Sequence, residues 1–363
     1  MWTLIENGEL YGPSPLGRQS LLVVSERIVS VGRIDRRDVE AVGVELEVVD
    51  ADGCIVIPGI VDPHLNILGQ SASRGLGRRP PGVHAADLAD AGITTAVGCV
   101  GVNAGTATMK ALLAGARVLR DQGPDVHVWT GGSRVRPTLL ESACADLVTF
   151  AEVIGAGAVA DFRGSAWDPR ALASLASDAY LGGTLSGKAG VTHFHLGGRG
   201  PVAPLLDALG EQRVPPHRIF LTLRGPETEL LDGAVRYAWW GAFVGVGAVG
   251  GDLEDWVSRF LDRGGNARRL TLFSDAPEAN PRSVVERVFA LAGRPGWPLE
   301  AVLPWATSNP ARMLGLDDRG TIEPGRRADL VVLRRDPLRV VEVIAGGRRI
   351  VREGEPCVDP NLQ

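Results

Sequence analysis

Residues 57–66 read Ile57-Pro58-Gly59-Ile60-Val61-Asp62-Pro63-His64-Leu65-Asn66, and this stretch decides the fold. A β-branched apolar run follows the Pro-Gly pair, and polar side chains end it. Residues two apart in a strand share a face, so His64 and Asn66 point the same way while Leu65 points away. Parallel α/β barrels place their active sites at the carboxyl ends of such strands. The stretch therefore predicts a barrel strand with His64 and Asn66 at a functional site.

The composition excludes several classes of protein. The chain has 363 residues, of which 45% are hydrophobic and 22% charged, as in globular proteins with a sizeable core. A net charge of −5 gives no attraction to nucleic acid or anionic membranes. No apolar run reaches the roughly 18 residues of a membrane span, and the N-terminus lacks a signal-peptide pattern. Four isolated cysteines predict small core residues and a reducing cytoplasm: Cys54, Cys99, Cys144 and Cys357.

The spacing of apolar runs along the sequence predicts a barrel flanked by β-structure. Residues 1–57 read as short strands separated by turn residues, and nothing in them has a helical period. From Gly59 onward, apolar runs alternate with amphipathic segments, which makes eight βα units over roughly 250 residues, the size of a (β/α)₈ barrel. The predicted fourth strand covers residues 154–161 and ends in the apolar run at residues 158–161. After a helix at about residues 299–314 the pattern becomes strand-like again.

Several separated motifs resemble the amidohydrolase superfamily. Its first barrel strand carries Pro-Gly, two hydrophobic residues, Asp-x and then His-x-His, which matches this chain except that Asn66 replaces the second histidine. Ser308-Asn309-Pro310-Ala311 and Gly320-Thr321-Ile322-Glu323-Pro324-Gly325 also match. The resemblance implies an α/β fold, an amidohydrolase-type (β/α)₈ TIM barrel at residues 58–320. It also implies a small β-sandwich domain built from both chain ends, residues 1–57 and 321–363.

Within the superfamily the chain resembles the bacterial isoaspartyl dipeptidases over essentially its whole length. Gly92-Ile93-Thr94-Thr95, Val191-Thr192-His193-Phe194-His195 and Leu270-Thr271-Leu272-Phe273-Ser274-Asp275 look like the second, fifth and eighth strands of that family. Those enzymes hydrolyse β-aspartyl dipeptides with two zinc ions. The ligands are the His-x-His pair, a carbamylated lysine on strand 4, a histidine on each of strands 5 and 6, and an aspartate on strand 8. Paired cations activate water and polarise the scissile carbonyl.

Three of these six ligand positions keep their residue in this chain. Asn66 replaces a histidine, and an amide oxygen is a far poorer zinc ligand than an imidazole. The predicted fourth strand contains no lysine, and the sixth has Thr222-Leu223 where a histidine is expected. We therefore predict no binuclear zinc centre and no cofactor, with one zinc ion as the alternative. The retained positions are the predicted catalytic residues: His64, His195 and Asp275.

The remaining candidate residues are predicted to contact a substrate. Arg163 matches a family arginine that binds a substrate carboxylate, and it equally suits a salt bridge to Asp161. Arg224 lies near a second such position. Ser133 falls near the position of a loop tyrosine in the family. The predicted substrate-binding set is Arg163, Asn66, His193, Ser133 and Arg224.

These observations leave three hypotheses. The leading one is a diverged enzyme that acts on a small amino-acid-like or carboxylate substrate by metal-independent acid–base chemistry. The second is a non-catalytic pseudoenzyme that binds a ligand or partner. The third is a mononuclear-metal C–N hydrolase, which competes with a hydrogen-bonded core position for His193. The expected partners are a small molecule and further copies of the chain, without nucleic acid or membrane. The ligands of the third hypothesis would be His64, His193, His195 and Asp275.

Overall fold

A computed structural model describes residues 2–69, 82–100, 108–131, 142–160, 168–197, 202–224, 228–248, 253–276 and 280–358. The described strands form two sheets, one from both chain ends and one from the middle of the chain. The first sheet contains β1 (Trp2–Tyr11), β2 (Pro15–Val24), β3 (Arg27–Gly32), β4 (Leu46–Asp50), β5 (Cys54–Pro58) and, as numbered below, β14–β17. The second contains β6 (Ile60–Leu65), β7 (Ile93–Gly98), β8 (Asp125–Thr130), β9 (Val153–Ala160), β10 (Val191–Gly197), β11 (Ile219–Arg224), β12 (Phe243–Gly247) and β13 (Leu270–Phe273). The C-terminal strands are β14 (Leu330–Arg335), β15 (Leu338–Ala345), β16 (Arg348–Arg352) and β17 (Glu355–Pro356).

Helices follow the strands of the second sheet, and one further short helix lies between β3 and β4 of the first sheet. None of those in the described parts of the chain is long and apolar enough to cross a bilayer. The helices are α1 (Arg36–Glu40), α2 (Ala85–Asp90), α3 (Met109–Asp121), α4 (Ala143–Thr149), α5 (Pro169–Ser186), α6 (Val202–Glu211), α7 (Thr228–Trp240), α8 (Leu253–Asp262), α9 (Ser283–Ala292), α10 (Leu299–Val302) and α11 (Ser308–Met313).

The second sheet is a near-closed barrel of eight parallel strands, β6 to β13 in chain order. Its first and last strands meet through side-chain and backbone hydrogen bonds. Asp62 accepts from the Ser274 amide at 3.2 Å and from the Ser274 hydroxyl at 2.5 Å. The backbone amide of Asn66 donates to the Ala276 carbonyl at 2.7 Å. Burial raises the pKa of Asp62 to about 6 in spite of its hydrogen bonds from Ser274 and His64. The predicted (β/α)₈ barrel is confirmed.

The first sheet joins the two chain ends, as the resemblance implied. β5 pairs antiparallel with β14, so that Val56 lies opposite Val332. β5 also pairs with β1, and the order continues to β2 and β3 on one side and to β15–β17 on the other. Apolar side chains from both ends share one core, which includes Leu21, Ile28 and Ile344. The separate β-domain is therefore built from both termini.

Gly59 sits at the junction of the two sheets. Its amide donates to the Asp329 carbonyl at 2.8 Å. A Cβ atom at Gly59 would lie 2.1 Å from Oγ1 of Thr94 on the neighbouring barrel strand. Only glycine allows the backbone of β6 to approach β7 so closely. The Pro-Gly pair of the sequence motif is thus explained by packing at the start of the barrel.

A buried ion pair ties the barrel to the segment before β14. Arg319 donates to Thr95 Oγ1 at 2.9 Å and to Asp125 Oδ2 at 2.7 Å. Nε2 of His127 lies 3.2 Å from the same carboxylate. Burial raises the pKa of Asp125, but His127 and Arg319 outweigh it and hold that pKa well below its usual range. Asp125 starts β8, at the end of the barrel opposite the predicted site, so this cluster is structural.

One local prediction was wrong, and another was confirmed to within one residue. The first region was predicted to contain no helix, yet α1 forms after Asp35, whose side chain caps it by accepting from the Arg37 amide. The fourth barrel strand begins at Val153, one residue before the predicted stretch. In the fold, a Cβ at Gly155 would meet the Trp129 ring at 2.6 Å, so the glycine serves close packing inside a strand.

Candidate active site

The predicted catalytic side chains gather at the carboxyl ends of β6, β10 and β13. His64 lies on β6, His195 lies on β10, and Asp275 follows β13. Nε2 of His64 is 3.4 Å from Oδ1 of Asp275. The His64 and His195 rings are stacked, with centroids 5.6 Å apart and an interplanar angle of 9°. These three residues therefore form one group, and a single small molecule could reach all of them.

The backbone at Asp275 adopts a conformation that is uncommon for a residue with a side chain. Its φ is 56°, in the left-handed region. Such conformations cost free energy and persist where the surrounding structure enforces them, most often at functional sites. Here the turn directs the carboxylate towards His64 instead of continuing β13.

His193 lies deeper in the barrel than His195 and is fully buried. Its ring packs on Phe220, with centroids 4.5 Å apart, and on Trp129, with centroids 5.5 Å apart. Burial lowers the pKa of His193 well below its usual range, and the neighbouring His64 and His195 lower it further. His193 is therefore neutral in the fold.

One threonine hydroxyl connects the two histidines of β10. Oγ1 of Thr222, on β11, is 2.8 Å from Nε2 of His193 and 2.5 Å from Nδ1 of His195. The hydroxyl has one proton, so it donates to one ring and accepts from the other. Nδ1 of His193 has no hydrogen-bond partner among the described atoms. A buried N–H without an acceptor is costly, so the proton of neutral His193 belongs on Nε2. Thr222 then donates to His195, which places the proton of a neutral His195 on Nε2.

His64 uses both ring nitrogens. Asp275 faces Nε2, and Sγ of Cys99 lies 3.9 Å from Nδ1. Burial works against protonation of this ring. Cys99 and Asp275 outweigh burial, and the pKa of His64 rises to about 10. Cys99 also donates to Oδ1 of Asn66 at 3.0 Å. Asn66 is thus held beside His64 by the thiol.

Cys99 is the residue that sequence reasoning missed. All four cysteines were predicted to be small core residues, and this was wrong for Cys357, which is exposed, and for Cys144, which is half-buried. Cys99 is buried but borders His64 and Asn66. One signal could have identified it. It is the first residue after β7, at the same end of the barrel as the histidines.

The side chains at this site do not fit the binuclear zinc centre of the isoaspartyl dipeptidases that the sequence resembles. Within the described ranges, no group of three or more His, Cys, Asp or Glu side chains is arranged to hold a metal ion. The strand that would supply a bridging lysine, β9, has none. The hydroxyl of Thr222 lies against Nδ1 of His195, and the amide oxygen of Asn66 accepts from Cys99.

The structure brings together only part of the predicted substrate-binding set. Asn66 and His193 lie with the catalytic candidates, His193 as an interior residue. Arg163 and Ser133 fall outside the described residues. Arg224 is the last residue of β11, and its side chain is among those not described.

Comparisons with known proteins agree with this architecture. A sequence model of the amidohydrolase family matches residues 276–355. The β-aspartyl dipeptidase of Fervidobacterium islandicum AW-1 superposes with a TM-score of 0.91 at 27% identity, covering 100% of both chains. The atrazine chlorohydrolase of Arthrobacter aurescens TC1, solved with zinc, shares the fold at a TM-score of 0.65 and 16% identity, over 98% of this chain and 97% of its own.

Curated relatives point the same way. Adenine deaminase 2 of Rhizobium meliloti is 27% identical over 339 residues, covering 85% of this chain and 50% of its own length. The chain thus spans about half the length of the curated relatives it matches. The barrel, the sheet built from both chain ends, the family model and these neighbours agree, and the chain belongs to the amidohydrolase superfamily.

Proposed function

We propose that this chain is an enzyme that cleaves a C–N bond in a small amino-acid-like or carboxylate-bearing molecule, without a binuclear zinc centre. The single observation that carries the proposal is the convergence of two acid–base groups on one end of the barrel. His64 pairs with Asp275 at 3.4 Å, and His195 is linked through Thr222 to His193. The two outer rings stack 5.6 Å apart, so one substrate could contact both.

The roles of the two groups follow from their hydrogen bonds. Asp275 orients His64 and favours its protonated form, so His64 is suited to give a proton to the leaving nitrogen. Thr222 fixes the ring of His195 and leaves Nε2 as the atom that carries its proton. That N–H is suited to donate a hydrogen bond to the oxygen on which charge develops. Both rings are mostly buried, which strengthens such interactions relative to water.

The substrate class follows from the relatives and is part of the proposal. The Fervidobacterium β-aspartyl dipeptidase was also solved with a β-Asp-Leu dipeptide, at 26% identity to this chain. The curated matches are named adenine deaminases. Both names describe cleavage of a C–N bond. β-Aspartyl dipeptides, which fit the proposed substrate class, are therefore the first compounds to test, and adenine, which carries no carboxylate, is the comparison compound.

The test is turnover of β-Asp-Leu and of adenine by purified protein before and after treatment with a chelator. We expect turnover that the chelator does not lower. We also expect His64→Ala, His195→Ala and Asp275→Asn each to reduce kcat/KM by about 10²-fold or more. His217→Ala is the matched control. His217 lies in the turn before β11, at the opposite end of the barrel, and its loss is expected to leave kcat/KM unchanged.

Two results would contradict the proposal. Turnover that a chelator abolishes and zinc restores would indicate a metal-dependent hydrolase. No turnover, together with a rise in the unfolding temperature on adding either compound, would indicate a binding protein.

We also propose that the protein works in the cytoplasm as a homo-oligomer. The four cysteines are unpaired, as in a reducing compartment. Sedimentation equilibrium of the purified chain measures the oligomeric state, and a monomer at all concentrations would contradict that part.

A further inference from the structure

We propose that Cys99 is the nucleophile of this site and that the reaction passes through a thioester on its sulfur. This inference rests on the proposed C–N bond cleavage and adds its attacking group. The proposal comes from the position of the thiol relative to His64, Asp275 and Asn66.

The first argument is the order of the three groups along one imidazole. Sγ of Cys99 is 3.9 Å from Nδ1 of His64, and Nε2 of the same ring is 3.4 Å from Oδ1 of Asp275. A nucleophile, a base and an orienting carboxylate arranged through the two nitrogens of one histidine are the general design for activating a side-chain nucleophile. Such contacts are often long without substrate and shorten when substrate binds.

The second argument is the position of Asn66. Its side-chain oxygen accepts from Cys99 at 3.0 Å. The same amide group carries two N–H donors, and donors close to a nucleophile can stabilise an oxyanion on the attacked carbon. Where the resembling family has a metal-binding histidine, this chain therefore has an amide that accepts from the thiol and also carries two N–H groups. It lies beside the thiol, where an oxyanion would form.

The third argument is the contrast with the other cysteines. Cys54 and Cys99 both border apolar clusters, Cys54 in the first sheet and Cys99 inside the barrel, so burial alone does not distinguish them. Cys357 is exposed, and its thiol contacts only the Glu355 carbonyl at 3.7 Å among the described atoms. Of the four, Cys99 alone has a described contact with a histidine ring and a side-chain amide.

The chemistry balances without any further reagent except water. Cys99 gives its proton to Nδ1 of His64, which forms the protonated ring that Asp275 stabilises, and Sγ attacks the carbonyl carbon to form a C–S bond. The C–N bond breaks as His64 returns that proton to the leaving nitrogen, and an amine departs. Water then gives a proton to His64 and adds to the thioester carbon. The C–S bond breaks, the carboxylic acid leaves, and Cys99 regains its proton.

The first test does not depend on knowing the substrate. Alkylation of each cysteine by iodoacetamide is followed by peptide mass spectrometry. We expect Cys99 to react at least about tenfold faster than Cys54, although Cys99 is the less exposed of the two (1% against 6%), because His64 accepts its proton. His64→Gln, which keeps most of the side-chain volume, is expected to slow Cys99 at least about tenfold and to leave Cys54 unchanged. Equal rates for the two cysteines, or no slowing in His64→Gln, would overturn the proposal.

The second test separates this inference from the proposed function. Turnover of β-Asp-Leu is compared in Cys99→Ala, in Cys99→Ser and in Cys54→Ala, the matched control. We expect a loss of about 10²-fold or more for both Cys99 variants and none for Cys54→Ala. Acid quenching during turnover is expected to leave an acyl group on the Cys99 peptide. Full activity in Cys99→Ala would overturn the nucleophile while the proposed function stands. If the wild type shows no turnover, the proposed function fails, and the alkylation rates decide the role of Cys99.

Discussion

Replacing Thr222 by valine tests the hydrogen-bond arrangement of the site. Valine has nearly the same shape, so the change removes one hydroxyl without creating a cavity. That hydroxyl is within 2.8 Å of both Nε2 of His193 and Nδ1 of His195. Both nitrogens lose their contact with Thr222 in Thr222→Val.

The magnitude follows from burial. An unsatisfied buried polar group costs about 1–3 kcal/mol. His193 is fully buried and bears the whole cost, whereas His195 is 8% exposed and recovers part of it from water. We therefore expect Thr222→Val to lower the free energy of unfolding by about 2–4 kcal/mol.

Thr192→Val is the matched control. Thr192 precedes His193 on β10, is equally buried, and its hydroxyl has no hydrogen-bond partner among the described atoms. Removing it relieves an unsatisfied polar group, so we expect no loss of stability or a gain of up to about 1 kcal/mol.

The assay is urea unfolding of both variants, followed by tryptophan fluorescence. The chain has eight tryptophans, including fully buried Trp129, whose ring faces His193. If Thr222→Val lies within about 0.5 kcal/mol of Thr192→Val, the shared hydroxyl does not hold the two histidines, and the reasoning is refuted.

Three further predictions concern packing, pH and metal. Gly59→Ala is expected to lower the unfolding temperature sharply because its Cβ would overlap Thr94. Gly210→Ala is the control, since a Cβ there would meet nothing within 4 Å, and it is expected to raise stability by about 0.5–1 kcal/mol. Equal effects of the two substitutions would contradict the packing argument. The lowered pKa of Asp125 contributes stability that is present at neutral pH and is lost as pH falls below about 4. Urea titrations from pH 7 to pH 3 are therefore expected to show a smaller loss of unfolding free energy in Asp125→Asn than in the wild type. An identical loss in both proteins would show that this carboxylate does not cause it. Excess zinc is expected to leave the unfolding temperature unchanged, and a rise that Asp275→Asn removes would point to a bound ion at His64 and Asp275.

Much of the fold could be predicted because its signals are local. The Pro58-Gly59 pair and the β-branched run after it predicted a barrel strand, and the alternation of apolar and amphipathic segments predicted eight βα units. These patterns depend on which residues are near one another in sequence. Gly155 and Gly157 of β9 are turn residues in isolation. They become strand residues only when Trp129 and His193 pack against them.

The sequence by itself determined which side chains each barrel strand brings to the site, including Asn66 on the first strand and Thr222 on the sixth, and that the fourth strand has no lysine. Once a strand is located in the sequence, its residue types are known without coordinates. Only the tertiary structure decided how these side chains interact. The register of β10 against β11, with His195 opposite Thr222, lets one hydroxyl connect two histidines. The pairing of β6 with β7 places Cys99 beside His64 and Asn66, although 33 residues separate Cys99 from Asn66. Such contacts join separate strands, and the pattern within a single strand does not contain them.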